Sequence, residues 1–338
     1  MAVAVNPPAR NPAAPASADD DVPLTITSRG SRGDLIFRGV LRTAGLSSFL
    51  ITAMILVFLI YRGMWALRAD GLSFFTKQSW VFVGDQFGIG GMLPDTIIIA
   101  AIASVIAIPV ALTAAIFIAE YAPGRLQRFL IAVIDLMAAI PSIIYAVWGR
   151  AFLMPRAIGT MAWLSHHIGW FPPFRITVAQ SASTFVGSPA IAGMVVSLMA
   201  IPIITSLCRE VFSQAPASER EAAYALGSSR WGMIRTVVLP FGRGGVIGAA
   251  MLGVGRALGE TIAVLLIISP TPELNWRIVQ SGGNSIAALI AGAWNYATYD
   301  QLSALMAAGL ALFAITLIVN SLAAIIINSS RSAAATAD

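Results

Sequence analysis

Six long apolar runs, separated by polar stretches, dominate the chain. They span about residues 44–67, 96–119, 128–148, 189–208, 246–269 and 304–327. Each run is close to the roughly 20 residues that a helix needs to cross the hydrocarbon core of a bilayer. Only helices are expected there, because lipid cannot satisfy free backbone N–H and C=O groups. The pattern therefore predicts an all-α polytopic membrane protein with six transmembrane helices.

Prolines predict bends in two of these helices, and a serine predicts where one of them begins. Pro141 lies inside the third run and Pro202 inside the fourth, so we expect both helices to bend. Ser188 and Pro189 form a favourable N-cap and first-turn pair at the start of the fourth helix.

The composition agrees with a membrane protein. Of the 338 residues 57% are hydrophobic and only 11% are charged, whereas a soluble domain carries about 25% charged residues. The Ala- and Pro-rich residues 1–34 are predicted to be a disordered tail, residues 35–328 the membrane domain and residues 329–338 a short second tail. The single cysteine, Cys208, excludes an internal disulfide.

Basic residues indicate an orientation and exclude one activity. With the N-terminus inside, 13 of the 21 Lys and Arg residues lie in the cytoplasm, 7 lie outside and Arg256 lies within a span. This excess favours two cytoplasmic termini and a cytoplasmic loop at residues 209–245. The only lysine, Lys77, follows no glycine-rich phosphate loop. Any ATP used must therefore be hydrolysed by a separate subunit. The chain itself is predicted to be a transport subunit and not an enzyme, without a cofactor of its own, and ATP and Mg²⁺ are expected to be bound by a partner ATPase.

The loop 209–245 carries a helix–turn–helix pattern. Residues 219–226 have high helix propensity, and Gly227 can take the left-handed conformation that ends a helix. A second helical turn is predicted over residues 230–237, with Pro240 limiting its extension. An ordinary loop helix without a partner is the alternative interpretation.

Two charged residues lie in the middle of the fifth run. On a continuous helix, Arg256 and Glu260 share one face about 6 Å apart along the axis. Each charge costs about 2.5–3.5 kcal/mol at the bilayer centre. Either they line a polar route, with Arg256 attracting an anion, or they neutralise each other inside the bundle. Asp135 in the third run is another candidate for the route, or else a hydrogen-bond acceptor near Pro141.

The loop sequence resembles the EAA loop of bacterial ABC-importer permeases. The matching positions are Glu221, Ala222, Ala223, Gly227, Val237, Leu239 and Pro240, with Val237 where the family most often has Ile. The resemblance implies the type I importer (MetI-like) fold. It also implies that this loop is a coupling helix, which docks into a groove on a cytoplasmic ATPase.

Four other stretches resemble the permeases of phosphate ABC transporters. Residues 255–261 read GRALGET, residues 119–123 read AEYAP, residues 140–145 read IPSIIY before Trp148 and Gly149, and residues 283–287 read GNSIA. The likeness covers roughly residues 35–328. The last two stretches favour one of the two paralogous permease subunits of such transporters over the other.

The resemblance carries expectations about partners, location and substrate. It implies a bacterial inner-membrane subunit that pairs with a paralogous permease, two copies of an ATPase and an extracytoplasmic phosphate-binding protein. It also implies that Arg256 and Glu260 act in phosphate movement. Two alternatives stay open: a permease of the same fold for another oxyanion or solute, and a secondary transporter that uses Arg256, Glu260 and Asp135 as a proton relay.

The adjacent residues His166 and His167 lie in the predicted outer loop. No Cys, His or carboxylate stands at ligand spacing from them, so we interpret them as interfacial or solvated histidines and not as a metal site.

Overall fold

The computed structural model describes residues 32–81, 86–178 and 181–335, so most of the tail predicted to be disordered lies outside the described residues. The helices are α1 Arg32–Asp70, α2 Ser73–Thr76, α3 Met92–Ile116, α4 Gly124–Ala139, α5 Ser142–Trp148, α6 Met154–His167, α7 Ala182–Phe185, α8 Pro189–Ser213, α9 Ala217–Ala225, α10 Arg230–Met233, α11 Leu239–Leu258, α12 Ile262–Ile267, α13 Ile286–Ala293 and α14 Tyr299–Ala335. A short antiparallel pair, β1 Trp80–Val81 and β2 Gln86–Phe87, places Trp80 opposite Phe87. Residues Met54–Asp338 form one compact unit.

Membrane-length helices account for five of the six predicted spans. Within the described residues they are Gly33–Asp70, Met92–Tyr121, Pro189–Ser213, Arg230–Leu258 and Tyr299–Leu322. The sixth span is a pair of helices, Gly124–Ala139 and Ser142–His167, which meet at 92°. The bend predicted at Pro141 is therefore confirmed. By contrast, α8 continues through Pro202 without a break.

Three π-helical turns lengthen the helices. Phe117–Tyr121 extends α3, Gly149–Leu153 joins α5 to α6, and Ile234–Val238 joins α10 to α11. The third turn corrects one prediction, because Pro240 does not end the helix that begins at Arg230. Leu239 N–H donates to the Ile234 carbonyl, five residues back, and this widened turn precedes the proline. A π turn is a common way to fit such an irregularity into a continuous helix.

The centre of the bundle is a close contact between α3 and α8. Four alanines one turn apart on α3 are completely buried: Ala103, Ala107, Ala111 and Ala115. On the facing helix, a Cβ at Gly193 would lie only 2.6 Å from Ile102 Cγ2. Small residues let the two backbones approach closely. Lipid is as apolar as the side chains, so the hydrophobic effect does not drive helices together, and close van der Waals packing stabilises the contact instead.

The start of α8 has the predicted residues but not the predicted bond. Ser188 is the N-cap residue in an extended conformation, and Pro189 is the first helical residue. The Ser188 carbonyl accepts from Ala192 N–H at 3.1 Å, while its hydroxyl makes no capping bond.

One buried carboxylate fixes the irregular segment between α12 and α13. Asp95, in the first turn of α3, accepts hydrogen bonds from the backbone N–H groups of Asn275 and Asn284, each at 3.1 Å. Thr96 Oγ1 accepts from Ile286 N–H at 3.0 Å. The GNSIA stretch is therefore held against α3 at the end of the bundle opposite Tyr121.

Candidate functional site

Arg256 and Glu260 line the same recess. The recess has a volume of about 390 Å³. Its remaining lining residues are Ser142, Gly255, Gly259, Thr261 and Ile262. Most of this wall is polar or glycine, which is unusual for the middle of a membrane helix and indicates contact with a polar solute or water.

Glu260 does not lie on the same helix as Arg256, which corrects the predicted one-face geometry. Helix α11 ends at Leu258, and Glu260 follows in the break before α12. Glu260 is only 8% exposed, and its Oε1 accepts a hydrogen bond from Ala263 N–H at 3.3 Å. Its carboxylate therefore satisfies a backbone donor at the start of α12.

Arg256 has an uncompensated charge. Its side chain is exposed at the end of α11, and no carboxylate in the described part of the chain forms an ion pair with it. The alternative of a self-neutralising Arg256–Glu260 pair is thus absent from the structure. An unpaired guanidinium beside an interrupted helix has the chemistry to bind an oxyanion.

The break at Pro141 brings a hydroxyl to this recess. Pro141 has no N–H, so the Met137 carbonyl loses its normal helical donor. The Met137 carbonyl accepts instead from the Tyr145 hydroxyl at 2.9 Å and from Ile140 N–H at 3.3 Å. The next helix then begins at Ser142, which lines the recess beside Arg256. Irregular backbone of this kind is tolerated at membrane depth where it borders a cavity.

Other candidate residues lie apart from the recess. Asp135 is exposed on α4, and it neither lines the recess nor makes a hydrogen bond that the structure describes. His167 Nδ1 lies 2.9 Å from the Trp163 carbonyl, and its ring stacks on Trp163. The described residues contain no cluster of three or more possible metal ligands.

The EAA loop has the predicted helix–turn–helix form. Gly227 has φ of +84°, and its N–H donates to the Tyr224 carbonyl at 2.9 Å. Ser228 N–H donates to the Ala223 carbonyl at 3.1 Å. These two bonds form a Schellman motif, which ends α9 sharply. Ser229 then caps α10 by accepting from Gly232 N–H at 3.1 Å.

The motif residues divide into an outward and an inward set. Glu221, Ala222, Gly227 and Pro240 are exposed, whereas Ala223, Val237 and Leu239 are half-buried against the bundle. Glu221 makes no hydrogen bond or ion pair within the residues that the structure covers. The outward surface of the loop therefore includes an exposed carboxylate with no partner among the described residues.

Comparison with known proteins identifies the family of this chain. Residues 107–332 match the family of binding-protein-dependent transport system inner membrane components. The phosphate transport system permease protein PstC of Mycobacterium leprae is 39% identical over 274 residues, which cover 79% of this chain and 84% of the relative. The protein of the same name from Xylella fastidiosa is 39% identical, over 85% of this chain and 88% of the relative. The chain belongs to the PstC family of transport permeases.

A solved structure shows the same fold. One chain in the crystal structure of a bacterial ABC transporter involved in the import of the acidic polysaccharide alginate superposes with a TM-score of 0.53 at 18% identity. The match covers 87% of this permease and 98% of that chain. The MetI-like fold is therefore confirmed. The chain is a multi-pass inner-membrane subunit that works with other permease and ATPase subunits, and it is not itself an enzyme.

Three residues that the structure brings into these regions had no role predicted from the sequence. Ser142 and Tyr145 belong to the IPSIIY stretch, and Glu120 belongs to AEYAP; both stretches contributed to the family resemblance without an assigned role. The signal for the first two was Pro141, since a helix break must supply new donors to the carbonyls it leaves unpaired. The sequence indicated less about Glu120: it is a carboxylate at the cytoplasmic end of a predicted span, and several arginines are predicted on the same side of the membrane.

Proposed function

We propose that this chain is one of two permease subunits of an ATP-driven importer of inorganic phosphate. The observation that carries the proposal is the unpaired charge of Arg256 in a polar recess between two helix breaks. A guanidinium offers several N–H donors in a fixed plane, which suits the oxygens of a tetrahedral oxyanion. The named substrate of the PstC relatives supports phosphate as that oxyanion.

In this proposal Arg256 attracts the anion and Glu260 shapes the recess. The Glu260 carboxylate accepts the hydrogen bond from Ala263 N–H. Its negative charge also lies four positions along the chain from Arg256, and we expect it to repel the bound phosphate and so to favour its release. A transport site must bind strongly enough to admit its substrate and weakly enough to release it. Ser142 and Thr261 add hydroxyl groups at the rim of the recess.

The coupling loop would deliver the work of ATP binding and hydrolysis. We assign ATPase docking to Glu221, Ala222, Ala223 and Gly227 in the first helix and turn, and to Leu239 and Pro240 in the second. The helix that begins at Arg230 runs without a break to Leu258, two residues beyond Arg256. A push on α10 therefore acts on a rod that also carries Arg256.

The remaining assignments follow from the family and the charge distribution. The partners are a paralogous permease that completes a heterodimer, two ATPase copies at the coupling-loop face and a phosphate-binding protein at the opposite face. Both termini and the coupling loop lie in the cytoplasm, in agreement with the excess of basic residues on that side.

The test is uptake by the assembled transporter. The full-length chain is purified in detergent, its associated subunits are identified, and the complex is reconstituted in liposomes with ATP at the coupling-loop face and the phosphate-binding protein at the other. We expect a second permease and an ATPase to copurify, and labelled phosphate to accumulate only with ATP. Uptake driven by a proton gradient without the ATPase would contradict the proposal.

Another oxyanion is the second candidate substrate, because a single arginine does not by itself distinguish phosphate from sulfate or molybdate. Competition decides between them. Unlabelled phosphate is expected to suppress labelled phosphate uptake at concentrations at which sulfate and molybdate do not.

A further inference from the structure

A single arginine of the coupling loop joins three elements of the permease. Arg220, on α9, forms an ion pair with Glu120 in the π-helical turn that ends the α3 rod, with Nη1 3.0 Å from Oε1. Its Nη2 donates to the carbonyl of Phe212 near the end of α8. The Phe212 carbonyl also accepts from Ala215 N–H at 3.2 Å, and a cation beside these last carbonyls is favourable at a helix C-terminus.

The ion pair is shielded from water. The Glu120 side chain is only 5% exposed, and the Arg220 side chain is 22% exposed. A buried ion pair offsets its desolvation cost only when the two groups are well aligned. Loss of one partner is destabilising, because it leaves the other charge buried and unpaired. Surface ion pairs, by contrast, contribute little. The nearby pair of Arg209 and Glu210 is of that second kind, at 3.9 Å with Glu210 59% exposed.

A second contact lies on the other side of the Gly227 turn. The Arg230 guanidinium, at the start of α10, lies 5.3 Å from the centre of the Tyr121 ring. This distance is within the range of a cation–π interaction. Glu120 therefore contacts the first helix of the loop, and the adjacent Tyr121 contacts the second.

Apolar packing completes the attachment. Met233, the last residue of α10, and Ile234, which follows it, are buried in the same cluster as Phe212 of α8 and Ala115 of α3. Ala223 of α9 and Ala119, in the π-helical turn after α3, pack against this cluster. The loop is thus seated on the end of α3 over a dry surface, with charged contacts on both sides.

We propose that Glu120, Tyr121, Arg220 and Arg230 form a loop anchor, which makes α3 move together with the coupling loop. This inference rests on the proposed function, and it identifies α3 as the transmembrane helix that moves when the ATPase changes conformation. Since α3 packs along α8 and also contacts α11, its displacement reaches the helix that carries Arg256. Glu120 is a positioning residue in this scheme and does not touch the substrate.

The test compares Glu120→Gln with Glu210→Gln in the reconstituted full transporter. Glu120→Gln keeps the size of the side chain and removes the charge, so we expect phosphate uptake per ATP hydrolysed to fall about tenfold. Copurification of the ATPase is expected to be unchanged. Glu120→Asp, which keeps the charge, is expected to recover part of the loss, and Glu210→Gln to behave as the unsubstituted protein. Unchanged uptake per ATP in Glu120→Gln, or loss of the ATPase from the complex, would overturn the anchor.

A distance measurement separates this inference from the identity of the substrate. Spin labels are placed at two exposed positions, Ser218 on α9 and Thr113 on α3. With an intact anchor the distance between the labels is expected to stay constant when ATP binds, and in Glu120→Gln it is expected to change. A distance that changes in the unsubstituted protein would refute the anchor even if phosphate uptake is normal. Absence of phosphate uptake with a constant distance would refute only the substrate.

If Glu120→Gln inserts poorly into the membrane, a second variant still tests the anchor. Tyr121 is 40% exposed, so Tyr121→Leu removes the aromatic ring at little cost in packing. Uptake per ATP is expected to fall about threefold, in keeping with one weak contact within the anchor. An unchanged ratio in this variant would count against the contribution of Arg230.

Discussion

The coupling loop and the charged recess are built in opposite ways. The hydrogen bonds that shape the loop join neighbours in sequence, such as Gly227 with Tyr224 and Gly232 with Ser229. The recess combines Ser142 with residues 255–262, more than a hundred positions away. The loop is a local motif that needs a surface on which to sit. The recess exists only where two interrupted helices meet, so it depends on the packing of the whole bundle.

The two regions also treat charge differently. Glu221 faces outward and is solvated at little cost until a partner covers it. Arg256 lies at the break of a membrane-length helix with no described counter-ion. A variant in the recess should therefore change substrate handling, whereas a variant in the loop should change the use of ATP.

The largest expected effect belongs to the recess. Arg256→Gln removes the only cation among its lining residues, and we expect uptake to fall roughly 100-fold, since bonds to a charged group are worth about 1.5–3 kcal/mol each. Assembly with the ATPase is expected to stay intact. The measurement is initial uptake of labelled phosphate, with Arg243→Gln, exposed on the same helix, as the matched control. Unchanged affinity and rate would contradict a role for Arg256 at the substrate.

Charge reversal in the loop comes next. Glu221→Lys puts a cation where the proposed ATPase groove meets a carboxylate, and we expect ATP-dependent uptake to fall about tenfold by like-charge repulsion. The protein should still insert, because Glu221 contributes no described bond to the bundle. Copurification of the ATPase measures the effect directly. Glu219→Lys, also exposed on α9, is the control. A normal complex with normal uptake would argue that the loop docks elsewhere.

The turn between the two loop helices gives a smaller effect. Gly227 has φ of +84°, and no neighbouring atom lies within 4 Å of a Cβ built there, so the only penalty for a side chain is backbone strain. This strain is about 1–2 kcal/mol for an ordinary residue. Gly227→Val should reduce uptake per ATP about fivefold, while Gly227→Asn should lose less because Asn tolerates the left-handed region. Equal activity of the two variants would show that the turn geometry is unimportant for coupling.

The smallest effect concerns the support of the recess. Tyr145→Phe removes the shorter of the two hydrogen bonds to the Met137 carbonyl and leaves the one from Ile140 N–H, which costs about 1 kcal/mol. We expect the Tm to fall by roughly 2–4 °C, with a modest loss of uptake. Tyr296→Phe is the control, because Tyr296 is 84% exposed. If both variants unfold at the same temperature, the bend at Pro141 is held by other contacts.

The sequence predicted the loop more accurately than the recess. The Gly227 turn was confirmed because a left-handed glycine after a helix-forming stretch needs no distant partner. The expected helical face of Arg256 and Glu260 was wrong, because α11 ends at Leu258 and an apolar run does not reveal where its helix stops. The expected stop at Pro240 was wrong for a related reason, since a π turn keeps the helix continuous through the proline.

The sequence alone determined that this chain crosses a membrane as helices, that it carries an EAA loop and that it cannot supply a lysine-bearing phosphate loop. These properties depend on composition and on residues close together along the chain. Only the tertiary structure decided that Ser142 joins Arg256, that Glu260 caps α12 and that Glu120 holds the coupling loop through Arg220. Two of these contacts, Ser142 with Arg256 and Glu120 with Arg220, join residues 100 or more positions apart, and their partners are fixed by helix packing, which no local pattern records. The Glu260 contact is local, but it forms only because α11 ends before Glu260.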